Sequence, residues 1–157
     1  MQGKTVEESA TVMHHLPMPA DTNVAGAVHG GYLLKLIDNA GGVAACRHAR
    51  AHPVTASLGR VDFLSAIYLG ELIILKASVN FAGKTSMEVG VRVEVEHLLS
   101  GVVRHAATCY LTYVAMDDRG KPCDVPPLLV VSEVERRRYA EALERRRVRD
   151  AARSGSS

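Results

Sequence analysis

One segment of the sequence is apolar on almost every side at helical spacing. Residues 29–50 have the pattern of a single helix in which only a few polar residues, Asp38 among them, interrupt the apolar surface. A helix that is apolar all round is buried rather than laid on a surface. Gly41 and Gly42 stand near its middle, where each costs about 1 kcal/mol relative to alanine. The two glycines indicate that another element packs closely there, so the rest of the chain has to cover this helix.

The remaining sequence supplies strands that can cover it. Residues 71–81 and 87–96 alternate apolar and polar side chains, which is a strong signal for half-buried strands. A single helix with so much apolar surface needs a curved sheet around it. We therefore predict an α+β fold in which an antiparallel sheet of about five strands wraps around one long central helix. The other strands are predicted over residues 10–18, 54–64 and 102–116.

The chain of 157 residues has the length of one domain. We predict a single domain over residues 1–131, a charged C-terminal helical extension over 132–153 and a disordered tail over 154–157. Ser132 is the expected N-cap of the extension, with Glu135 three residues later. The extension carries eight arginines against five acids. Because the acids are interspersed, we expect a solvated or subunit-bridging helix rather than a nucleic-acid or membrane ligand.

Charge and cysteine content limit the partners and the compartment. A net charge of +2 is too small to indicate nucleic acid as a partner. No apolar run approaches the roughly 20 residues that span a bilayer, and the N-terminal residues lack the apolar stretch of a signal peptide. Three cysteines without a ligand spacing fit reduced thiols in the cytosol. We expect a cytoplasmic protein that neither binds nucleic acid nor inserts into membranes.

Few residues of the predicted helix have side chains suited to catalysis or metal binding. Asp38 is its only acid, and the alternative role for this residue is an ion pair with Lys35 one turn earlier. Cys46 is predicted as a small core residue rather than a nucleophile. His48 and His52 have a metal-ligand spacing but lack an accompanying Glu, so no metal site is predicted.

One run of the sequence resembles a known signature. The segment from Asp21 to Asp38, DTNVAGAVHGGYLLKLID, is similar to the signature of the hotdog-fold acyl-CoA thioesterases. It resembles most the cytosolic long-chain acyl-CoA hydrolases of the brain type and the related bacterial broad-specificity acyl-CoA thioesterases. The similarity covers roughly residues 10–145. Further matching segments are VDFLS at residues 61–65, GKTSMEV at residues 83–89 and VPP at residues 125–127.

This resemblance implies an α+β hotdog fold and an enzyme that hydrolyses acyl-CoA to a free fatty acid and CoA without a cofactor. In the family an Asp on the central helix and an Asn in the preceding loop form the catalytic pair, which implies Asp38 and Asn23 here. Asp38 would act as a general base on water or as a nucleophile through an anhydride. The helix entry is the expected site of the thioester carbonyl oxygen, where free amides and the helix dipole suit an oxyanion. Its residues are His29, which is alternatively structural, Gly30 and Gly31.

The resemblance also implies a CoA site and a self-associated protein. A turn with a cation and two hydroxyls suits phosphates, although an ordinary hairpin turn is the alternative. Hotdog proteins of this family dimerise edge to edge and often form trimers of dimers, so we expect a homo-oligomer, with the hexamer as the expected form. The expected CoA-binding residues are Gly83, Lys84, Thr85, Ser86 and Arg60.

Two other functions on this fold remain open. The first is a non-catalytic acyl-CoA-sensing module, although hotdog sensors usually carry a separate DNA-binding segment that this sequence lacks. The second is a hydratase or dehydratase. Its usual Asp/His pairing in a helix-entry motif is not matched, since Asp38 lies nine residues beyond His29. The sequence does not indicate the preferred acyl length.

Overall fold

The structure, a computed structural model, describes residues 1–155. Within them, two long helices and strands of very different length follow one another. In chain order the elements are β1 (Lys4–Thr5), β2 (Thr11–His15), α1 (Gly30–Ala49), β3 (His52–Leu58), β4 (Asp62–Phe63), β5 (Glu71–Ala82), β6 (Ser86–His97), β7 (Val103–Met116), β8 (Leu128–Leu129) and α2 (Glu133–Ser154), with a 3-10 turn at Pro19–Asp21 before α1.

The main sheet is antiparallel and has the strand order β2-β5-β6-β7-β3, with the short β4 also paired to β7. The predicted sheet of about five strands is confirmed, and β4 is a short sixth member. The strand predicted over residues 54–64 is wrong in its extent. Pairing stops at Leu58 and resumes at Asp62, and a register shift between Thr55 and Ser57 already disturbs this edge of the sheet. β1 and β8 form a separate parallel pair.

The core lies between α1 and the inner face of the sheet. Alternate residues of the three longest strands point toward the helix, which is why the period-two pattern of β5 and β6 predicted them well. This arrangement of one central helix on an antiparallel sheet confirms the predicted hotdog fold. The fully buried side chains include Ile37 of α1, Ile73, Leu75 and Val79 of β5, Met87, Val89, Val91 and Val93 of β6, and Leu111 and Tyr113 of β7.

The far side of α1 is open in the single chain. Val43 is 40% exposed, and the thiol-bearing residue Cys46 is exposed as well. The prediction that Cys46 is a core residue is therefore wrong for the single chain. A sheet on one side of a helix covers only part of its circumference, and the apolar pattern of α1 does not show which part. The uncovered side leaves apolar surface for another partner to bury.

Gly41 shows why glycine is placed in the middle of α1. A Cβ atom built on Gly41 would lie 2.5 Å from the hydroxyl oxygen of Tyr113, a distance that real Cβ atoms essentially never show. At Gly42 the nearest atom of the same ring would be 3.9 Å away, which is ordinary contact. The predicted close packing against the helix is thus confirmed at Gly41, and the element that packs there is β7.

The C-terminal helix α2 lies on the outer face of the sheet. Ser132 caps it by accepting a hydrogen bond from the Glu135 amide at 3.1 Å, as predicted. The guanidinium of Arg145 lies 3.6 Å from the centroid of the Tyr110 ring and 2.6 Å from the carboxylate of Glu88. Residues 156 and 157 of the predicted tail lie outside the described residues, and Ser154 ends the helix. In residues 1–155 neither helix is long and apolar enough to cross a membrane.

Candidate active site

The carboxylate of Asp38 lies over two neighbouring strands that hold one of its oxygens. The hydroxyl of Thr55 on β3 donates to Oδ1 at 2.8 Å. The hydroxyl of Tyr113 on β7 lies 3.0 Å from the same Oδ1 and 3.0 Å from the main-chain carbonyl oxygen of Asp38. Thr55 and Tyr113 are paired in register, so one point of the sheet presents both hydroxyls to the helix. The sequence reasoning missed both residues.

The second oxygen of Asp38, Oδ2, has no hydrogen-bond partner among residues 1–155. The predicted alternative, an ion pair with Lys35, is not formed there either. Asp38 is half-buried in the chain, because it lies at the border between the covered and open sides of α1. The result is a carboxylate with one fixed oxygen and one oxygen free to meet another group.

Burial shapes the chemistry of the groups beneath Asp38. It raises the pKa of the Tyr113 hydroxyl well above its ordinary value, and the negative charge of Asp38 adds to the effect. Burial likewise raises the pKa of the Cys109 thiol to about 11, again with Asp38 contributing. Tyr113 therefore stays protonated and acts as a donor, and Cys109 is a neutral core residue near neutral pH.

Asn23 lies in the loop before α1 and shapes a turn there. Its Oδ1 accepts from the amides of Ala25 at 2.9 Å and Ala27 at 3.3 Å, the role that an ordinary turn residue has. Its side-chain NH₂ group has no partner in the described part of the chain, and the residue is exposed. Asn23 therefore keeps a hydrogen-bond donor that a ligand can use.

The predicted pair, Asn23 and Asp38, is not joined within one chain. No hydrogen bond connects them in residues 1–155, and they lie near different parts of α1. Asp38 is eight residues beyond the first helical residue, Gly30, which corresponds to about 12 Å along the axis. The loop with Asn23 is tied instead to the start of the helix, since the His29 amide donates to the Asp21 carbonyl oxygen at 2.8 Å.

The carboxylate of Asp21 stabilises the loop that carries Asn23. It accepts from the Met18 amide at 2.8 Å and lies 3.2 Å from Nε2 of His15. The hydrogen bond from Met18, together with the contact to His15, holds the pKa of Asp21 below its usual range. The loop that presents Asn23 thus has a defined shape in the single chain.

At the helix entry His29 is the N-cap of α1, and its Nδ1 accepts from the Gly31 amide at 3.1 Å. The Gly31 amide thus has a partner in the single chain, and its role toward a thioester carbonyl oxygen stays a prediction. The structural role left open for His29 is the one observed. The Gly30 amide, in contrast, has no partner among residues 1–155 and remains a free donor at the positive end of the helix dipole.

The predicted CoA-binding turn lies between β5 and β6. The Gly83 amide donates to the Ser86 carbonyl oxygen at 2.8 Å, which closes the hairpin. Lys84 is exposed at the tip and has no ion pair among the described residues, whereas Thr85 and Ser86 are partly buried. Arg146 of α2, which the sequence reasoning missed, lies beside the turn, since a Cβ atom on Gly83 would come within 2.8 Å of its Nη1.

Strand register places this turn at the Asp38 end of the sheet but leaves Arg60 elsewhere. Ser86 pairs with Val114, next to Tyr113, whereas the residue before Arg60 bonds to the carbonyl oxygen of Tyr110. Four residues along β7 correspond to about 13 Å. Arg60 itself is exposed and pairs with Asp62 at 3.1 Å. A single chain does not gather the five predicted CoA-binding residues at one place.

The histidine spacing does not build a metal site in the described chain. His48 is fully buried, and its Nε2 lies 2.8 Å from the carbonyl oxygen of Pro126. Residues 1–155 hold no group of three or more His, Cys, Asp or Glu side chains that could hold a metal ion. The absence of a cofactor stays a prediction, as does the cytoplasmic location.

Comparison with known proteins agrees with this geometry. Residues 25–102 match the thioesterase superfamily profile. The chain is 40% identical over 139 residues to the uncharacterized acyl-CoA thioester hydrolase YkhA of Bacillus subtilis, which covers 88% of this chain and 81% of that protein. The crystal structure of an apo-hexameric acyl-CoA thioesterase superposes with a TM-score of 0.94 at 38% identity, over 100% of both chains.

A third similar protein has also been solved as variants in which single residues are replaced by alanine. The acyl-CoA hydrolase of Staphylococcus aureus, solved with butyryl coenzyme A, coenzyme A and coenzyme A disulfide, is 38% identical with a TM-score of 0.90, over 98% of this chain and 93% of that one. Variants of that enzyme with an asparagine, an aspartate or a threonine replaced by alanine were also solved. These three positions are 15 and 17 residues apart, the spacing of Asn23, Asp38 and Thr55. The resemblance predicted from the sequence is confirmed: this chain belongs to the thioesterase superfamily, among the hotdog-fold acyl-CoA thioester hydrolases.

Proposed function

We propose that this protein hydrolyses acyl-CoA to a free fatty acid and CoA, with the carboxylate of Asp38 as the central catalytic group. The observation that carries the proposal is the half-fixed carboxylate, whose Oδ1 is held by Thr55 and Tyr113 while Oδ2 is free of partners in residues 1–155. Such a group is oriented for proton abstraction or for attack on a carbonyl carbon. The spacing of the altered residues in the Staphylococcus aureus hydrolase supports this choice of Asp38.

Two routes fit a carboxylate with one free oxygen. In the first, Oδ2 takes a proton from water as the water oxygen attacks the thioester carbon. The C–S bond then breaks, and the CoA thiolate leaves and takes up the proton. In the second, Oδ2 attacks the thioester carbon, the thiolate leaves, and water hydrolyses the mixed anhydride to restore the carboxylate. Both routes balance without a cofactor. The oxyanion donor is the Gly30 amide of a second subunit, because the Gly30 amide of the same chain lies about 12 Å along the helix from Asp38.

The active site is composite, with Asp38 from one chain and Asn23 from another. Three observations support this arrangement. The two residues share no hydrogen bond in the described chain, the NH₂ group of Asn23 has no partner there, and about 12 Å of helix separates Asp38 from the loop. A second chain that covers the open side of α1 would bring its own Asn23 loop toward Asp38. The amide would then position the attacking water or the thioester.

The protein is a homo-oligomer built on the β3 edge of the sheet. β3 is the last strand in the sheet order, so one of its edges pairs with no other strand of residues 1–155. Val54 and Leu58 of this strand are 47% and 45% exposed. Together with Val43 on the open side of α1, they form apolar surface that a second copy would bury. The hexameric state of one structural neighbour supports further assembly into a trimer of dimers.

The hairpin turn 83–86 binds the phosphates of CoA. Lys84 supplies an exposed ammonium group without a partner among residues 1–155, and Arg146 adds a guanidinium beside the turn. Arg60 joins this site only if another subunit contributes it, because about 13 Å of strand separates the two regions in one chain. The coenzyme A complexes of the Staphylococcus aureus hydrolase support a CoA ligand.

An assay of CoA release tests the function directly. Acyl-CoAs of graded chain length are incubated with the protein, and free thiol is measured with a thiol reagent while binding is measured separately by calorimetry. A hydrolase releases CoA catalytically from at least part of the series. Stoichiometric binding without release would instead identify the acyl-CoA-sensing alternative, and the profile across chain lengths would define the preferred acyl group.

A further inference from the structure

The hydroxyl of Tyr113 lies within hydrogen-bond distance of the Asp38 carboxylate and can therefore orient it. It is within 3.0 Å of both Oδ1 and the main-chain carbonyl oxygen of Asp38. The side chain is 1% exposed, so solvent does not compete for the hydroxyl proton. Burial and the charge of Asp38 keep this hydroxyl protonated. A buried neutral donor beside a carboxylate fixes the orientation of that carboxylate.

The Tyr113 hydroxyl can approach α1 closely because residue 41 is a glycine. The missing side chain of Gly41 leaves the volume that the Tyr113 oxygen fills, because a Cβ atom there would be 2.5 Å from the oxygen and 3.2 Å from the ring. Glycine inside a helix is unfavourable by about 1 kcal/mol relative to alanine, so the position carries a cost that the contact with Tyr113 explains. Gly41 lies almost one turn after Asp38, on the same stretch of helix.

We propose that Tyr113 is a positioning residue for the reaction, which orients the Asp38 carboxylate, and that the missing side chain of Gly41 leaves the space for its hydroxyl. This inference rests on the proposed function of Asp38, and it adds a role that acts through Asp38 rather than on the substrate. Tyr113 holds the oxygen Oδ1, which leaves Oδ2 as the oxygen without a hydrogen-bond partner among residues 1–155. The acyl-CoA itself does not touch Tyr113.

The first test is Tyr113→Phe, which removes the hydroxyl and keeps the ring. We expect kcat to fall about 10-fold or more, as for a lost hydrogen bond to a charged group, and KM to change by less than about 2-fold because the ligand contacts remain. The fall in kcat at nearly constant KM is the readout, because it reports the loss of an interaction that matters in the transition state rather than in binding. Tyr110→Phe is the matched control, because Tyr110 lies on the same strand but contacts Arg145 on the outer face, and it keeps the wild-type kcat and KM.

The second test is Gly41→Ala, which pushes the Tyr113 hydroxyl out of the space that the glycine leaves. We expect the same loss of kcat with KM nearly unchanged, whereas Gly42→Ala, with its ordinary 3.9 Å contact, keeps the wild-type kcat and KM. The loss from Gly41→Ala becomes smaller in a Tyr113→Phe background, because the oxygen that collides is gone. Equal losses in both backgrounds would show that Gly41 acts independently of the hydroxyl and would overturn its role in leaving space for that hydroxyl.

A readout without substrate separates this inference from the proposed function. The ¹³C chemical shift of the Asp38 carboxyl carbon, measured at one fixed pH, changes in Tyr113→Phe because the hydrogen bond to Oδ1 is lost, even if the wild-type protein releases no CoA. Unfolding temperatures confirm that the variants are folded, and the Gly41→Ala variant gives the same answer if Tyr113→Phe does not fold. An unchanged ¹³C chemical shift and an unchanged kcat in the folded variants would overturn the positioning role of Tyr113. Failure of CoA release in the wild type alone would overturn only the proposed function.

Discussion

The hydroxyl of Thr55 donates to Oδ1 of Asp38 at 2.8 Å and joins the edge strand β3 to the central helix. This hydrogen bond lies beside the edge on which we place the second subunit, so it links assembly with the orientation of the carboxylate. Thr55 is exposed in the single chain, and a partner that covers the edge would desolvate the bond and strengthen it.

We expect Thr55→Val to lower kcat by about 10-fold, because a hydrogen bond to a charged group contributes about 1.5–3 kcal/mol. The substitution keeps the shape of the side chain and removes the donor. Thr55→Ser is the matched control, since it keeps the hydroxyl, and it should retain most of the activity. Steady-state kinetics with one acyl-CoA substrate measure both. Equal activity of the valine and serine variants would show that the hydroxyl is dispensable.

Replacing Asp38 has a larger expected effect. Asp38→Ala, and Asp38→Asn almost as much, should lower kcat by at least about 10²-fold, the low end for loss of an acid–base group. The asparagine variant keeps the size of the side chain and its contacts with Thr55 and Tyr113, so it isolates the loss of charge. The oligomer should persist in both variants, as measured by gel filtration with light scattering. Near-normal turnover in either variant would reduce Asp38 to a structural residue.

Local periodicity allowed the main elements to be predicted from the sequence. The alternation in β5 and β6 reports directly which side chains face the helix, because a strand repeats every two residues. The apolar pattern of α1 predicted that the helix is buried, but it did not show which side of the helix the sheet covers. Its apolar residues cover most of the circumference. The sequence therefore could not distinguish Cys46, which is exposed, from Ile37 and Ala44, which are buried.

The partners of Asp38 could not be predicted for a different reason. Asp38 and Asn23 belong to one continuous motif of the sequence, whereas Thr55 and Tyr113 lie on separate strands. Their contact with Asp38 depends on the register of β3 against β7 and on where α1 crosses them, which no local pattern encodes. The two mid-helix glycines were the available signal, and Gly41 did indicate close packing without naming the residue.

Lys84 should affect the CoA part of the substrate alone. We expect Lys84→Gln to raise KM for an acyl-CoA several-fold, because an exposed cation without a partner in residues 1–155 can pair with a phosphate. KM for the corresponding acyl-pantetheine, which lacks the nucleotide phosphates, should not change. Lys121→Gln, at another exposed turn, is the control and leaves both constants unchanged. An equal rise of KM for the two substrates would place Lys84 away from the phosphates.

His48 should make stability depend on pH. Burial lowers the pKa of His48 below its ordinary value of 6.5, although the contact with the Pro126 carbonyl oxygen opposes this. Its Nδ1 is buried and has no hydrogen-bond partner among residues 1–155, so the folded protein favours the neutral ring. The unfolded chain takes up a proton first, so stability falls as the pH drops below about 6.5, with a slope of at most about 1.4 kcal/mol per pH unit, until the lower folded pKa is reached.

Urea unfolding at a fixed protein concentration measures this dependence between pH 5 and 8. His48→Gln is the matched variant, because its amide NH₂ can still donate to the Pro126 carbonyl oxygen and does not titrate. We expect the variant to lose part of the pH dependence that the wild type shows below about 6.5. Parallel curves for the two proteins would assign the dependence to other histidines.

Subunit complementation tests the composite active site. An Asn23→Ala chain and an Asp38→Ala chain are each expected to be inactive, because every site then lacks one member of the pair. In a mixed dimer one of the two sites combines two altered residues, while the other regains an intact Asn23 and an intact Asp38. Mixing the two variants under conditions of subunit exchange should therefore restore part of the activity. Native mass spectrometry with one variant isotopically labelled shows how many mixed dimers form, and the recovered kcat should rise in proportion to that fraction. If mixed dimers form without any recovered activity, each chain builds its own site, and Asn23 acts on the Asp38 of the same chain or not at all.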